Sequence, residues 1–241
     1  MEDINYDQFL KIPRSEWVSG RSINMHSKFD VIGLIENILR REGEYELAEE
    51  TVFRYLLKIP AKHMFAARLI QQLLQREINL EEASPHEIWF SIGGRKSRFS
   101  RVEFCLMTGL RFGPLPDIIQ RPYVMVAGGI HNRYFDGKIP LLLSEIHNHL
   151  ATKEFHQQGD CLKMALVLLA NIVLFGQLSK GKTTLWLLML VENVDEWNAF
   201  PWGHYVFKLT LYYLRTVVGK RNYYGFPYAL QVGFYLFCFM C

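Results

Sequence analysis

The sequence predicts a mainly α-helical chain: a single multi-helix domain with one small β-hairpin at its centre. Apolar residues recur at helical spacing through most of its length, the pattern of helices that each bury one stripe. That period breaks once, between Glu87 and Phe99, where two short runs flank Gly93-Gly94. The composition agrees. Of 241 residues 50% are apolar, 14% aromatic and 21% charged, which is enough chain and enough apolar surface for a substantial core.

Residues 1–27 lack apolar periodicity and carry Pro13 and Gly20, so they are expected to form an ordered loop or a loose arm ahead of a helical domain over 28–241. The first helix starts near Phe29, carries Ile32, Leu34, Ile35, Ile38 and Leu39, and stops at Gly43. A second begins near Glu44 and runs through Leu47, Val52, Phe53, Leu56 and Leu57 to Pro60. A third follows Pro60, with Ala67, Ile70, Leu73, Leu74 and Ile78 on one face and Gln71, Gln72 and Arg76 on another.

The next stretch is the most strongly specified. Ile88, Trp89, Phe90 and Ile92 lie between Pro85 and Gly93-Gly94 and read as a strand. Two glycines reach the positive φ that a tight hairpin turn requires, and Arg95-Lys96-Ser97-Arg98-Phe99 is the returning strand. Ser100 and Glu103 then form S-x-x-E, a capping box in which each side chain satisfies an otherwise unpaired N–H of a starting helix. That helix, carrying Phe104, ends at Gly109 or Gly113, with Leu110 just beyond the first of these.

Residues 111–140 hold Pro114, Pro116, Pro122, Pro140 and Gly128-Gly129, and are expected to be a long loop, one that could separate two helical halves. Helices resume over 141–156, Cys161–Phe175 and Thr184–Val191. Pro201-Trp202-Gly203 is expected to break the chain, with Trp202 and Gly203 fixing a tight turn against the core. His204–Val218 reads as a further helix, with Phe207, Leu211 and Leu214 on one side. Gly225-Phe226-Pro227 breaks it again before an apolar tail. Tyr223–Cys241 has no charged residue, but Gly225, Pro227, Gln231 and Gly233 interrupt it, so a buried helix is favoured over a membrane anchor.

The formal charge of +3 is mild and neither demands nor excludes nucleic acid. The opening MEDINYDQF is acidic and polar, unlike a secretory signal, and points to an intracellular, reducing compartment. Of the four cysteines, Cys238 and Cys241 have CxxC spacing without the strand and helix of a redox motif. Reduced thiols among apolar neighbours are expected.

Several patterns invite a chemical reading. Gly176-Gln-Leu-Ser-Lys-Gly181-Lys182-Thr183 matches G-x-x-x-x-G-K-[ST], whose backbone N–H groups, Lys and Thr cradle nucleotide phosphates and Mg²⁺. A P-loop follows a buried strand, however, and the preceding run DCLKMALVLLANIVLF has helix length; a polar loop between helices is expected instead. Cys161 with His147, His149 or His156 and Asp160 does not show a nucleophile beside an oriented base. His131, His147, His149 and Cys161 lack metal-finger spacing, so no metal and no cofactor are expected. Glu192, Asp195 and Glu196 before Trp197 suit helix capping better than an acid pair. The basic turn is more suggestive: Arg95, Lys96, Arg98 and Arg101, with Arg111 and an exposed Phe99, present charges that suit phosphate.

Four stretches together carry a resemblance: LLKIPAKHMFAARLIQQLLQREI (56–78), WFSIGGRKSRFSRVEFCLMTGLRFG (89–113), LVENVDEWNAFPWGHYVF (190–207) and YGFPYALQV (224–232). In that order they resemble a plant domain of unknown function found in transposon-derived proteins, often ahead of a SUMO-protease-like (ubiquitin-like-protease) cysteine peptidase domain. The resemblance covers about 45–235. The tail GFYLFCFMC departs from the family, which suggests a truncated or mis-spliced copy, and no position here takes the peptidase's Cys, His or Asp. The resemblance implies a non-catalytic interaction or targeting module, nuclear more than cytoplasmic, with a protein partner and neither a small-molecule substrate nor a membrane. The second reading is a nucleic-acid adaptor working through 95–111; the third is nucleotide binding at 176–183. Trp89, Phe90, Gly93, Gly94, Phe99, Ser100, Glu103, Phe104, Gly109, Leu110, Pro201, Trp202, Gly203, Gly225, Phe226 and Pro227 are assigned to structure.

Overall fold

The computed structural model describes residues 5–17, 24–25, 28–60, 66–152, 154–216 and 222–239, with the backbone alone at 24–25, 222–223 and 235–239. It is mainly α-helical with one antiparallel hairpin, as the periodicity predicts. Cys241 and the side chain of Cys238 lie outside the described residues.

The elements follow in order as β1 (Asn24–Met25), α1 (Asp30–Arg41), α2 (Tyr45–Glu49), α3 (Ala67–Gln75), β2 (Glu87–Ile92), β3 (Arg95–Ser100) and α4 (Arg101–Thr108). Then come α5 (Ile130–Phe135), α6 (Leu143–Thr152), α7 (Asp160–Leu168), α8 (Leu185–Leu190), α9 (Val194–Ala199), α10 (Trp202–Thr216), β4 (Asn222–Tyr223) and α11 (Tyr228–Phe239). β1 and β4 form a two-residue parallel pair, Asn24 beside Asn222, which the sequence did not foretell.

α1 buries the predicted stripe of Ile32, Ile35, Ile38 and Leu39. The second helix is shorter than its periodicity suggests. Thr51 ends it, because its hydroxyl donates to the Ala48 carbonyl and accepts from the Phe53 N–H, offering the backbone a local alternative to helix. Asn198 takes the Val52 N–H at 2.8 Å. Phe53, Leu56 and Leu57 are still buried, carried by turns instead of a helix. The third helix likewise ends at Gln75, so Ile78 is not on its face; it lies in an extended segment whose N–H donates to the Trp89 carbonyl.

The hairpin has the expected register, from Glu87 opposite Ser100 to Ile92 opposite Arg95. Gly93 and Gly94 have φ of 59° and 78°, the two positive values of a type I′ turn. Both halves of the capping box form: Ser100 accepts from the Val102 N–H at 3.1 Å, and Glu103 accepts from the Ser100 N–H at 2.7 Å. Gly109, not Gly113, closes α4 in the left-handed conformation.

Residues 111–140 do not divide the chain. α5 interrupts the loop, α4 packs on α10 and α11, and α1 packs on α6 and α7, so N- and C-terminal segments share one core. Its densest part is aromatic. Trp202 is fully buried with ring centroids of Trp197, Phe53 and Phe200 at 4.6, 4.7 and 4.7 Å, and its Nε1 donates to the Trp197 carbonyl. Trp202 and Gly203 belong to the first turn of α10 and are not a separate turn. The break falls at Phe200-Pro201, and the Gly203 N–H donates to the Arg111 carbonyl at 2.8 Å. Gly225-Phe226-Pro227 does break the chain: Phe226 N–H donates to Thr210 Oγ1 in α10, and α11 begins next. No described helix is long and apolar enough to cross a membrane.

Candidate functional site

The hairpin is wider than two strands. Along the free edge of β2, Ser91 N–H donates to the Arg76 carbonyl and Ile78 N–H to the Trp89 carbonyl, both at 2.9 Å. Beyond that segment, Lys11 N–H donates to the Glu77 carbonyl and Asn79 N–H to the Phe9 carbonyl, also at 2.9 Å. The N-terminal arm is therefore sewn on as an outer ribbon, which covers an edge that would otherwise expose unpaired backbone groups. Lys11 and the buried Glu77 form an ion pair at 2.6 Å that holds it in place.

Side chains directly opposite on paired strands share a face. Ile88, Phe90 and Phe99 face the core, and Trp89, Ser91, Lys96 and Arg98 share the other face. Phe99 is thus not exposed beside the basic turn. It is buried, 1% exposed, against Phe104 and Phe207, because its register places it on the apolar side. The aromatic ring that does accompany the basic residues is the half-buried Trp89, with Lys96 Nζ at 5.6 Å and the Arg98 guanidinium at 5.8 Å from its centroid. Lys96 lies equally close to Tyr6 of the arm.

Where ribbon and hairpin tip meet, an open cleft of about 680 Å³ is lined by Arg14, Arg76 and Arg95 together with Asp7, Ser91 and Gly94. Arg14 pairs with Asp7, and the Asp7 carboxylate also accepts from Ser91 Oγ at 2.6 Å. Trp17 orders two of the guanidiniums, lying 5.6 Å from that of Arg14 and 4.9 Å from that of Arg76. Arg76 also donates to the Gln72 carbonyl. Arg95 makes no ion pair among the described residues. Three arginines against one aspartate among the lining residues leave the cleft net positive.

The four basic residues predicted from sequence are therefore not equivalent. Arg95 lines the cleft and Lys96 lies on the face beside it. Arg98 is on that face too but is held by Glu103 at 3.0 Å, and Arg101 is exposed at the start of α4. Burial pushes the Glu103 carboxyl up, yet the hydrogen bonds from Ser100, Arg98 and backbone N–H groups outweigh it and hold the group below the usual range. Sequence reasoning missed Arg14, Trp17 and Arg76, which arrive from segments that periodicity assigns to a loose arm and a helix face.

The P-loop-like segment is built differently from a nucleotide site. A helix precedes it: α7 continues into a π-helical turn over Leu169–Leu174. Two of its backbone donors are spent within the fold, Gly181 N–H on the Leu178 carbonyl and Thr183 N–H on the Leu141 carbonyl, both at 2.7 Å. Thr184 N–H donates to the buried Asn171. Thr183 is itself buried, and Lys182 bridges to Leu142. Gly176, Gly181, Lys182 and Thr183 thus make a tight connection between helices.

Several of the other titratable groups are drawn into packing. Asp160 accepts from Arg133 and, at 2.7 Å, from Tyr134. Glu44 reaches across to cap α7, taking the N–H groups of Gly159 and Leu162 at 2.7 Å. Burial and the nearby Glu44 carboxylate push the Cys161 thiol up to about 12. His131 bonds Tyr123 and the Lys138 carbonyl. Glu192 pairs with Lys163 at 2.7 Å and accepts from the Ile130 N–H, while Asn193, not a carboxylate, caps α9.

A family model described as a domain of unknown function (DUF1985) matches residues 74–212, which spans the hairpin, α4 and the Trp197, Phe200 and Trp202 part of the aromatic core. No curated protein and no solved structure matches the chain.

Proposed function

The chain belongs to the DUF1985 family, and on that premise we propose that it is a non-catalytic interaction module that docks an anionic partner on its basic hairpin sheet. The observation that carries the reading is the division of charge. Asp160, Glu44, Glu77, His131 and Glu192 are all engaged inside the fold, whereas Arg14, Arg76 and Arg95 line one open cleft and Lys96 lies beside it. A site that broke bonds would need an activated group, and the buried thiol of Cys161 is held in its protonated form. In its setting, this is the interaction or targeting module of a transposon-derived plant protein, acting in the nucleus and standing in relatives beside a SUMO-protease-like peptidase.

The test is fluorescence anisotropy with a labelled Glu-rich peptide and a labelled oligonucleotide, comparing wild type with the double variant Arg95→Glu, Lys96→Glu. The reading expects salt-sensitive binding of at least one polymer by wild type and its loss in the double variant. Binding of neither polymer at low salt would overturn the docking reading. Peptidase or nucleotidase turnover that disappears in Cys161→Ser or Lys182→Ala would overturn the non-catalytic one.

A further inference from the structure

We infer that the cleft between the N-terminal ribbon and the hairpin tip is a phosphate subsite for single-stranded nucleic acid, with Arg14, Arg76 and Arg95 around one phosphate and the Lys96–Trp89 strip taking the strand beyond it. The inference rests on the docking reading above and gives it a ligand class.

The cleft is suited to phosphate by its residue type. Guanidinium is planar, permanently charged and weakly hydrated, and its fork of N–H donors matches phosphate oxygens. Two of the three arginines are ordered before any ligand arrives, Arg76 by Trp17 and the Gln72 carbonyl, and Arg14 by Trp17 and Asp7. Ordering that is already in place lowers the entropy lost on binding. Asp7 opposes an anion, but it is satisfied by Arg14 and Ser91, and the surplus charge in the cleft stays positive. A volume of about 680 Å³ exceeds what a lone phosphate needs and leaves room for its sugar.

The surroundings favour a polymer over a small phosphorylated group. Ser91 on the cleft wall pairs with Lys96, and Trp89 pairs with Arg98, so Ser91, Lys96, Trp89 and Arg98 lie along one face of the hairpin, while Arg95, which pairs with Ile92, joins the cleft at the hairpin tip beside Gly93 and Gly94. Tyr6 flanks Lys96 from the ribbon side. Cations alternating with aromatic rings are what single strands use: the charges follow the backbone and the rings accept unpaired bases without regard to sequence.

The experiment measures binding of fluorescein-labelled oligo(dT) by anisotropy across a salt series, for wild type, Arg95→Glu and Lys58→Glu. Lys58 follows α2, lines no part of this cleft and gives the same change in net charge. Three cations without a carboxylate partner among the described residues, Arg76, Arg95 and Lys96, give a slope of log K against log salt of about −2. Arg95→Glu should weaken binding by about tenfold and flatten the slope by about 0.7, with Lys58→Glu close to wild type. Inorganic phosphate should compete better than chloride at equal ionic strength. Equal losses in Arg95→Glu and Lys58→Glu would overturn the subsite. Binding of the acidic peptide without oligo(dT) would overturn the ligand class yet leave the docking reading standing, and binding of neither would remove both.

Discussion

Burial decides the chemistry of Cys161. Its thiol, pushed up to about 12, carries almost no thiolate at neutral pH, and the thiolate is the reactive form. Iodoacetamide applied to the folded protein at neutral pH should leave Cys161 unmodified while alkylating the half-buried Cys105, as read by peptide mass spectrometry; rapid labelling of Cys161 would contradict the packing around α7. Glu103 behaves in the opposite sense. Its carboxyl sits lower in the folded chain than in the unfolded one, so the unfolded state binds more protons as the pH falls. Its contribution is therefore complete above the ordinary carboxylate value of about 4.3 and is lost as the pH drops through the folded one. Glu103→Gln keeps a capping-box side chain but removes the charge that Arg98 meets. Urea unfolding at pH 7 and pH 3 should show a smaller loss of stability for the variant than for wild type; an unchanged loss would place the acid sensitivity elsewhere. Both residues were visible in the sequence, Glu103 as half of a capping box and Cys161 as a thiol among apolar neighbours. The Glu44 carboxylate that caps α7 was not, because it comes from more than a hundred positions upstream and no local pattern encodes it.

Helices and strands were legible wherever periodicity and end signals agreed. The hairpin shows this best, since a positive-φ turn, strand residues and a capping box all require the same register. Where only the period spoke, the ends moved: Thr51 stopped α2 by a side-chain bond, and the pairing of the 76–79 segment with β2 and the arm took Ile78 out of α3. Phe99 shows the cost of reading residue type without register, because an aromatic beside three cations looks exposed until pairing with Ile88 fixes its side. Tertiary contact also sets the start of α10. A Cβ on Gly203 would lie 2.5 Å from the Leu110 carbonyl oxygen and 2.7 Å from the Phe112 ring, so α10 approaches the segment after α4 only because that position has no side chain. Gly203→Ala should cost about 1–3 kcal/mol through overpacking, even though alanine is the better helix former. Chemical denaturation checks the sign. A stabilised variant would mean that the two segments part without penalty.

At the scale of the whole molecule, the proline-rich loop raised the prospect of two helical halves, and packing removes it. Composition and local spacing are silent about which helices meet, so a long loop reads as a divider. Here α4 packs on α10 and α11 across that loop, Phe53 from the N-terminal part packs edge-on against Trp197 and Trp202 from the C-terminal part, and Arg215 of α10 donates to the Glu87 carbonyl at the start of the hairpin. An aromatic centre shared by both parts couples their stabilities, since neither can open without exposing rings of the other. Unfolding followed by tryptophan fluorescence and by far-ultraviolet circular dichroism should therefore give coincident transitions. Trp202→Ala, which empties the middle of that centre, should lower stability by about 3–5 kcal/mol and shift both signals together. A variant that lost the fluorescence transition early while its helical signal persisted would show that the aromatic centre and the remaining helices fold as separate units, and the outer ribbon and its basic cleft would then have to be assigned to one of them.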